Sequence, residues 1–165
     1  MSSQMDNFVS LSAALTGFDP SMFAPSVDPV NLKQVYFDYI MAKDPTNFTA
    51  LLDTFAVVTS TGATGGDAWA ETMKGGSETV AISAEMVRLA MSINKLWYLG
   101  SWYNPEDTTQ QEVVSEQSYI RGLSWQVMQS HAMGNSPFTF GYWAKDPAAS
   151  LALTTGNPDA TGGTS

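Results

Sequence analysis

The sequence predicts an all-α chain: a small bundle of about five helices followed by an extended aromatic C-terminal arm. Three observations predict it. Apolar residues return at helical spacing in four segments. Pro, Ser and Gly stand where those segments should start and stop. After about residue 130 the periodicity gives way to Gly, Pro and aromatic residues. One helical domain is expected over 5–147, with the arm leaving from about 130 and a disordered tail over 148–165.

The first segment places Phe8, Leu11 and Leu15 at i, i+3 and i+7, with Asp6 to cap the start and Gly17 to stop it. Asp19-Pro20 and Ala24-Pro25 then turn the chain. Asp28-Pro29 reads as an N-cap followed by Pro at the first helical position. Leu32, Val35, Tyr36, Tyr39 and Ile40 follow on one face. Asp44-Pro45 ends that helix, because the residue before a proline is pushed out of the α region. A third helix restarts after Pro45, with Phe48, Leu51, Leu52 and Phe55 inward, and runs into Val57-Val58-Thr59.

Residues 60–82 are weakly patterned. Trp69 and Met73, four apart, suggest a short helix closed by Gly75-Gly76, and an insertion would sit here. The strongest segment is Ser83 to Gly100. Ser83 caps it, Glu85 suits the positive end of the helix dipole, and Met86, Leu89, Ala90, Ile93, Leu96 and Trp97 keep the spacing. From Ser101 the chain reads as a loop holding Trp102 and Tyr103. A fifth helix is expected over roughly Val114 to Met128, weakened at Gly122 by about 1 kcal/mol relative to Ala.

Composition narrows function. Of 165 residues 44% are apolar, but only 14% are charged, against an ordinary ~25%. Seven basic and sixteen acidic residues give a net charge of −9. A phosphate backbone needs Lys and Arg to displace its counterions, so no nucleic-acid partner is expected. The absence of cysteine removes disulfides, thiolate zinc sites, iron–sulfur ligation and a cysteine nucleophile. A single histidine, His131, rules out a His-based metal cage within this chain. No run of 18 apolar residues exists to span a bilayer. Met1 to Met5 has neither the basic nor the apolar part of a signal peptide.

Catalytic constellations are scarce. A Ser–His–Asp set can be assembled around His131 only without any flanking signature, and a surface or structural histidine is the plainer account. Carboxylates are plentiful, but none sits in an apolar run that would raise its pKa. Gly62-Ala63-Thr64-Gly65-Gly66 lacks the Lys of a phosphate loop and reads as a linker. Neither a catalytic residue, a cofactor motif nor a metal site is assigned to this chain.

The aromatics are the feature to explain: five Trp, six Tyr and eight Phe. Trp97-Tyr98, Trp102-Tyr103 and Phe138, Phe140, Tyr142 and Trp143 are dense. Core packing competes for Trp97, which lies on a helical face. The last four lie in a Gly/Pro segment that cannot build its own core. Each large ring removes ~150–250 Å² from water when covered. All eight are therefore candidates for a partner interface. On aromatics alone, a free-standing carbohydrate-binding module stacking Trp and Tyr on sugar rings is the alternative. Its weakness is that such modules are mostly β-sandwiches. A hydrolase using His131 is a third possibility.

Several motifs resemble one family. Asp6-x-Phe8-x-x-Leu11-Ser12-x-x-Leu15-Thr16-Gly17 is similar to the start of the mature small (gamma) subunit of membrane-bound, FAD-dependent sorbitol, fructose and glucose dehydrogenases. The helix from Ser83 ending in Leu96-Trp97-Tyr98-Leu99-Gly100 is similar to that family's Trp-Tyr-Leu-Gly helix. Tyr119, Leu123 and Trp125 fit its later Tyr-x-x-Ala-Leu-x-aromatic pattern. Pro137 and Gly141-Tyr142-Trp143-Ala144 match its closing segment. The matches keep the family's order over about residues 6–147. This chain lacks the family's twin-arginine leader and the Cys often found before the closing motif.

The resemblance implies a non-catalytic subunit. In that family a large subunit of the glucose-methanol-choline oxidoreductase class carries FAD, often with an iron–sulfur cluster, and a multihaem cytochrome c subunit accompanies it. The small subunit assists folding and export of the large one. A periplasmic location follows, with membrane association only through partners and no cofactor in this chain.

Overall fold

The computed structural model describes residues 3–73, 82–130 and 132–133. The chain divides into two compact units, Met1–Ala132 and Met133–Ser165. The first is mainly helical and adds one small antiparallel sheet. Its elements are α1 (Gln4–Thr16), a 3-10 turn (Pro20–Met22), α2 (Leu32–Lys43), α3 (Pro45–Ser60), α4 (Gly65–Met73) and α5 (Ala84–Leu99). Strands β1 (Ser101–Tyr103) and β2 (Gln111–Val113) follow, then the short helices α6 (Glu116–Ile120) and α7 (Leu123–Val127). The expected tail over 148–165 lies outside the described residues, as does all of the arm beyond Met133.

Helix α1 is the hub, touching α2, α3, α4 and α5. Its cap is Ser3 rather than Asp6. Ser3 Oγ accepts the Asp6 N–H at 3.1 Å and Asp6 Oδ2 accepts the Ser3 N–H at 3.0 Å, a capping box that satisfies two otherwise orphaned donors. Phe8, Leu11, Ala13 and Ala14 are buried, and Leu15 is half-buried. Gly17 ends the helix in the left-handed region, φ 79°, returning its N–H to the Ala13 carbonyl.

Helix α2 starts three residues later than the sequence predicts. Asp28 caps a turn instead: its Oδ1 accepts the Asn31 N–H at 2.7 Å. That turn leaves Asn31 left-handed at φ 51°, which Asn tolerates, so the helix cannot begin before Leu32. Leu32, Tyr36 and Ile40 are buried. Asp44 both closes α2 and opens α3, its carboxylate accepting the Asn47 N–H at 3.1 Å with Pro45 as the first helical residue. Phe48, Leu51, Leu52, Phe55 and Val58 form the buried stripe of α3.

Residues 65–73 form the short helix that Trp69 and Met73 suggest. Helix α4 packs on α1 and α3. Its buried face is Ala68 and Thr72, and not Trp69 and Met73, which are half-buried and exposed. Small residues let the helix approach closely, and the Thr72 hydroxyl is satisfied by the Ala68 carbonyl at 2.7 Å. The expected stop at Gly75-Gly76 falls outside the described residues. Helix α5 follows its pattern closely. Ser83 Oγ accepts the Met86 N–H, and Met86, Leu89, Ala90, Ile93, Leu96 and Trp97 are buried.

The segment after Gly100 departs from expectation twice. Instead of a loop, it forms a hairpin with Ser101 opposite Val113, Trp102 opposite Glu112 and Tyr103 opposite Gln111. The single helix expected over 114–128 is broken at Arg121-Gly122 into α6 and α7. The break is where the chain meets α5. A Cβ on Gly122 would lie 2.7 Å from the Tyr98 carbonyl oxygen.

Candidate functional site

Two aromatic centres concentrate the side chains of interest. The first is built on Trp97. Its ring meets Phe23 and Tyr36 edge-on, each at 4.7 Å between centroids, and lies tilted on Phe8 at 6.1 Å. Its indole Nε1 donates to Ser12 Oγ at 2.9 Å, and that hydroxyl donates to the Phe8 carbonyl at 2.7 Å. Burial drives the Tyr36 phenol well above its ordinary pKa, with the Ser118 hydroxyl pulling weakly the other way. One residue on, the Tyr98 hydroxyl donates to the Thr16 carbonyl at 3.0 Å, and its ring meets Phe18. Both bonds join α5 to α1.

The same node receives the later motif. Gly100 is left-handed, φ 68°, and a Cβ there would stand 2.3 Å from the Ser118 carbonyl oxygen. Helix α6 is thus seated against α5 through a residue with no side chain. Trp125 donates its Nε1 to the Tyr119 carbonyl at 2.8 Å and packs on the Tyr119 ring. The segments 6–17, 96–100 and 119–125, separate in sequence, therefore converge.

The second centre lies between the hairpin and α2. A groove of about 630 Å³ is lined by Lys43, Asp44, Trp102, Asn104, Glu106 and Glu112 among others. Tyr39 and Lys43 lie one turn apart on α2, and both reach Glu112: the phenol donates to Oε1, and the ammonium pairs with the same oxygen. Lys43 also lies over the Tyr39 ring at 5.2 Å, and Tyr39 meets Trp102 edge-on at 5.7 Å.

A lysine one turn from a tyrosine can in principle acidify the phenol, since an adjacent cation favours phenolate. Here burial and donation to Glu112 outweigh it and push the Tyr39 phenol up to about 12. Lys43, and then Tyr39, hold the Glu112 carboxyl below the usual range. Glu112, and then Tyr39, hold the Lys43 ammonium above its own. A phenol kept protonated near neutral pH is a poor base. The cluster is an anchor in its chemistry.

The eight residues expected at a partner interface divide three ways. Trp97 and Trp102 are each 4% exposed, so neither offers a face to a partner in this fold. Both belong to the buried core, and Trp102 also meets Tyr39 edge-on. Tyr98 and Tyr103 are half-buried, the first tied to Thr16 and the second carrying the Lys95 ammonium over its ring at 4.8 Å. Phe138, Phe140, Tyr142 and Trp143 lie outside the described residues, as does His131. Among the described residues no group of three or more His, Cys, Asp or Glu is placed to hold a metal ion. No helix among them is long and apolar enough to cross a membrane.

Sequence reasoning missed the Tyr39–Lys43–Glu112 cluster. Tyr39 and Lys43 carried a signal in their i, i+4 spacing. Glu112 carried none, since it stands 73 positions from Tyr39 in a strand that had read as loop.

No protein-family model, curated protein or solved structure matches this chain.

Proposed function

We propose that this chain is the non-catalytic small subunit of an FAD-dependent sugar or polyol dehydrogenase. It would bind and stabilise a catalytic subunit of the glucose-methanol-choline class and assist its maturation and export to the periplasm. FAD and an iron–sulfur cluster would belong to the partner, and a multihaem cytochrome c would complete the complex. The finer architecture of this proposal is a bundle of about five helices with an aromatic arm from about 130. Phe138, Phe140, Tyr142 and Trp143 on that arm are the candidate docking residues.

The observation that supports the reading is the meeting of the motif segments. The residues that carry the resemblance in 6–17 and 96–100 join through Ser12 to Trp97 and through Thr16 to Tyr98. Motifs that meet this way account for themselves as the frame of one small fold, with no reaction to explain them. The sugar-module alternative leans on a β-sandwich, and the chain is mainly helical.

The test is co-purification. The chain is expressed with an affinity tag in its source organism, with and without Ala at all four arm aromatics. The expected result is a yellow flavoprotein that oxidises a sugar or polyol, recovered with the unaltered chain and lost with the altered one. Sugar oxidation by this chain alone, or no flavoprotein in any preparation, would overturn the proposal.

A further inference from the structure

The hairpin is held to the rest of the protein in an uneven way. Strand β1 is continuous with α5 through Gly100, and its Trp102 is buried. All three residues of β2, Gln111, Glu112 and Val113, are exposed, so β2 contributes no buried side chain. The tip between the strands is bonded mainly to itself. Asn104 Oδ1 accepts the Glu106 N–H at 3.0 Å, and Asp107 accepts from Thr109 and from Gln110 Nε2. Two backbone bonds bracket the ladder: the Asn104 N–H to the Gln110 carbonyl at 3.0 Å, and the Val114 N–H to the Gly100 carbonyl at 3.3 Å.

Two side-chain ties link tip and β2 to the helices. Glu112 on β2 binds Tyr39 and Lys43 of α2. Glu106 in the tip binds Arg88 of α5 at 3.0 Å, a guanidinium it shares with Glu85. In both ties the hairpin supplies the carboxylate and a helix supplies the cation. Glu112 stands opposite Trp102 in the ladder, so paired side chains on one face of the hairpin both reach Tyr39.

We propose that β2 and the tip form a flap latched by two carboxylates, Glu112 on α2 and Glu106 on α5. Loss of both ties frees the flap from the helices, opens the groove and uncovers the Trp102–Tyr39 pair. The inference stands on the hairpin geometry and does not depend on the dehydrogenase proposal.

The charges facing the latch set its sign. Tyr39, Lys43 and Asp44 approach from α2 and its C-terminal end, Glu85 and Arg88 from α5, and Glu106 and Asp107 from the tip itself. Lys95 lies over Tyr103 on β1. Because Lys43 holds the Glu112 carboxyl below the usual range, the Glu112 tie holds through mildly acidic pH and is lost as pH falls through that lowered value. At the alkaline end only the Glu112 tie loosens, as the Tyr39 phenol, about 12, and the Lys43 ammonium lose their protons, while Arg88 keeps its charge and its hold on Glu106.

The experiment is amide hydrogen exchange on the full chain, read residue by residue by NMR. The unaltered protein is compared with Glu106→Gln/Glu112→Gln at neutral pH, and with itself in acid after correction for intrinsic exchange rates. Two weak surface ties acting together predict roughly tenfold loss of protection at the Asn104 and Val114 amides, with Ile93 in α5 unchanged. Asp53→Asn, a charge change on α3, is expected to leave all three amides as they were. Unaltered protection at Asn104 and Val114, or loss that includes Ile93 to the same degree, would overturn the flap.

Discussion

Trp97-Tyr98 and Trp102-Tyr103 are the same dipeptide twice within seven residues, and the fold gives them opposite surroundings. Both tryptophans are 4% exposed and both tyrosines half-buried, so burial alone does not separate them. Their partners do. Trp97 lies among Phe8, Phe23 and Tyr36, with its indole N–H satisfied by a buried serine. Trp102 sits at the edge of the core, between Tyr39 and a solvated groove whose other walls are mostly polar or charged. Tyr98 ties two helices together, whereas Tyr103 supports a lysine. Buried aromatic area stabilises in proportion to how little its surroundings can relax once it is removed. A closed centre of interlocked rings cannot collapse, but a rim can let water in.

The largest expected effect tests that distinction directly. Trp97→Ala should cost about 3–5 kcal/mol and Trp102→Ala about 3 kcal/mol or less, both read from urea unfolding midpoints at unchanged slope. Equal losses would mean that the groove wall is as rigid as the core.

Glycines sharpen the comparison next. Gly100→Ala meets two obstacles, a left-handed backbone and the Ser118 carbonyl at 2.3 Å, and should cost about 2 kcal/mol or more. Gly17 has a similar backbone, φ 79°, but open space around it. Its change to Ala should cost about 1 kcal/mol, the backbone share alone. If both variants lost the same amount, the seating of α6 on Gly100 would contribute nothing.

The tyrosines give a smaller difference. Tyr98→Phe removes a bond to the Thr16 carbonyl and should cost about 1 kcal/mol. Tyr103→Phe should stay within about 0.5 kcal/mol, because the ring that supports Lys95 remains. Thermal melts of the pair at matched pH would show it, and a larger loss at Tyr103 would reverse the order of the two regions.

How far these regions were legible in the sequence follows from the range of their interactions. Caps act over three or four residues, so Ser83, Gly17, Gly100 and Asp44-Pro45 marked helix ends correctly. Asp28 misled because the same carboxylate can close a turn as readily as cap a helix, and the left-handed Asn31 decided which. Trp69 and Met73 marked a short helix correctly, but the size of a side chain does not say which way it points. The close packing of α4 on α1 and α3 selected the small face, Ala68 and Thr72. The hairpin had no local signal. Its outer strand, Gln111-Glu112-Val113, is exposed throughout, and an exposed strand has no alternation to read. The break at Gly122 needed knowledge of the Tyr98 carbonyl 24 residues earlier. The Ser12–Trp97 bond spans 85 positions, and no pattern of spacing reports such a pair.

The smallest expected effect is the pH response of the rim. The Glu112 carboxyl is depressed in the folded chain, chiefly by Lys43 and then by Tyr39. A depressed carboxylate contributes stability above its unfolded pKa and loses it as pH falls through the folded one. Followed by carbon-detected NMR, Glu112 should therefore titrate below an ordinary glutamate. Lys43→Met should bring it most of the way back, and Tyr39→Phe less of the way. The Trp97 centre should not respond to either change, since Ser12, Phe8, Phe23 and the protonated Tyr36 carry no charge there. Shifts of the Trp97 indole resonance that tracked the Glu112 titration would mean that rim and core are one cooperative unit. Their absence would mean that the hairpin moves on its own.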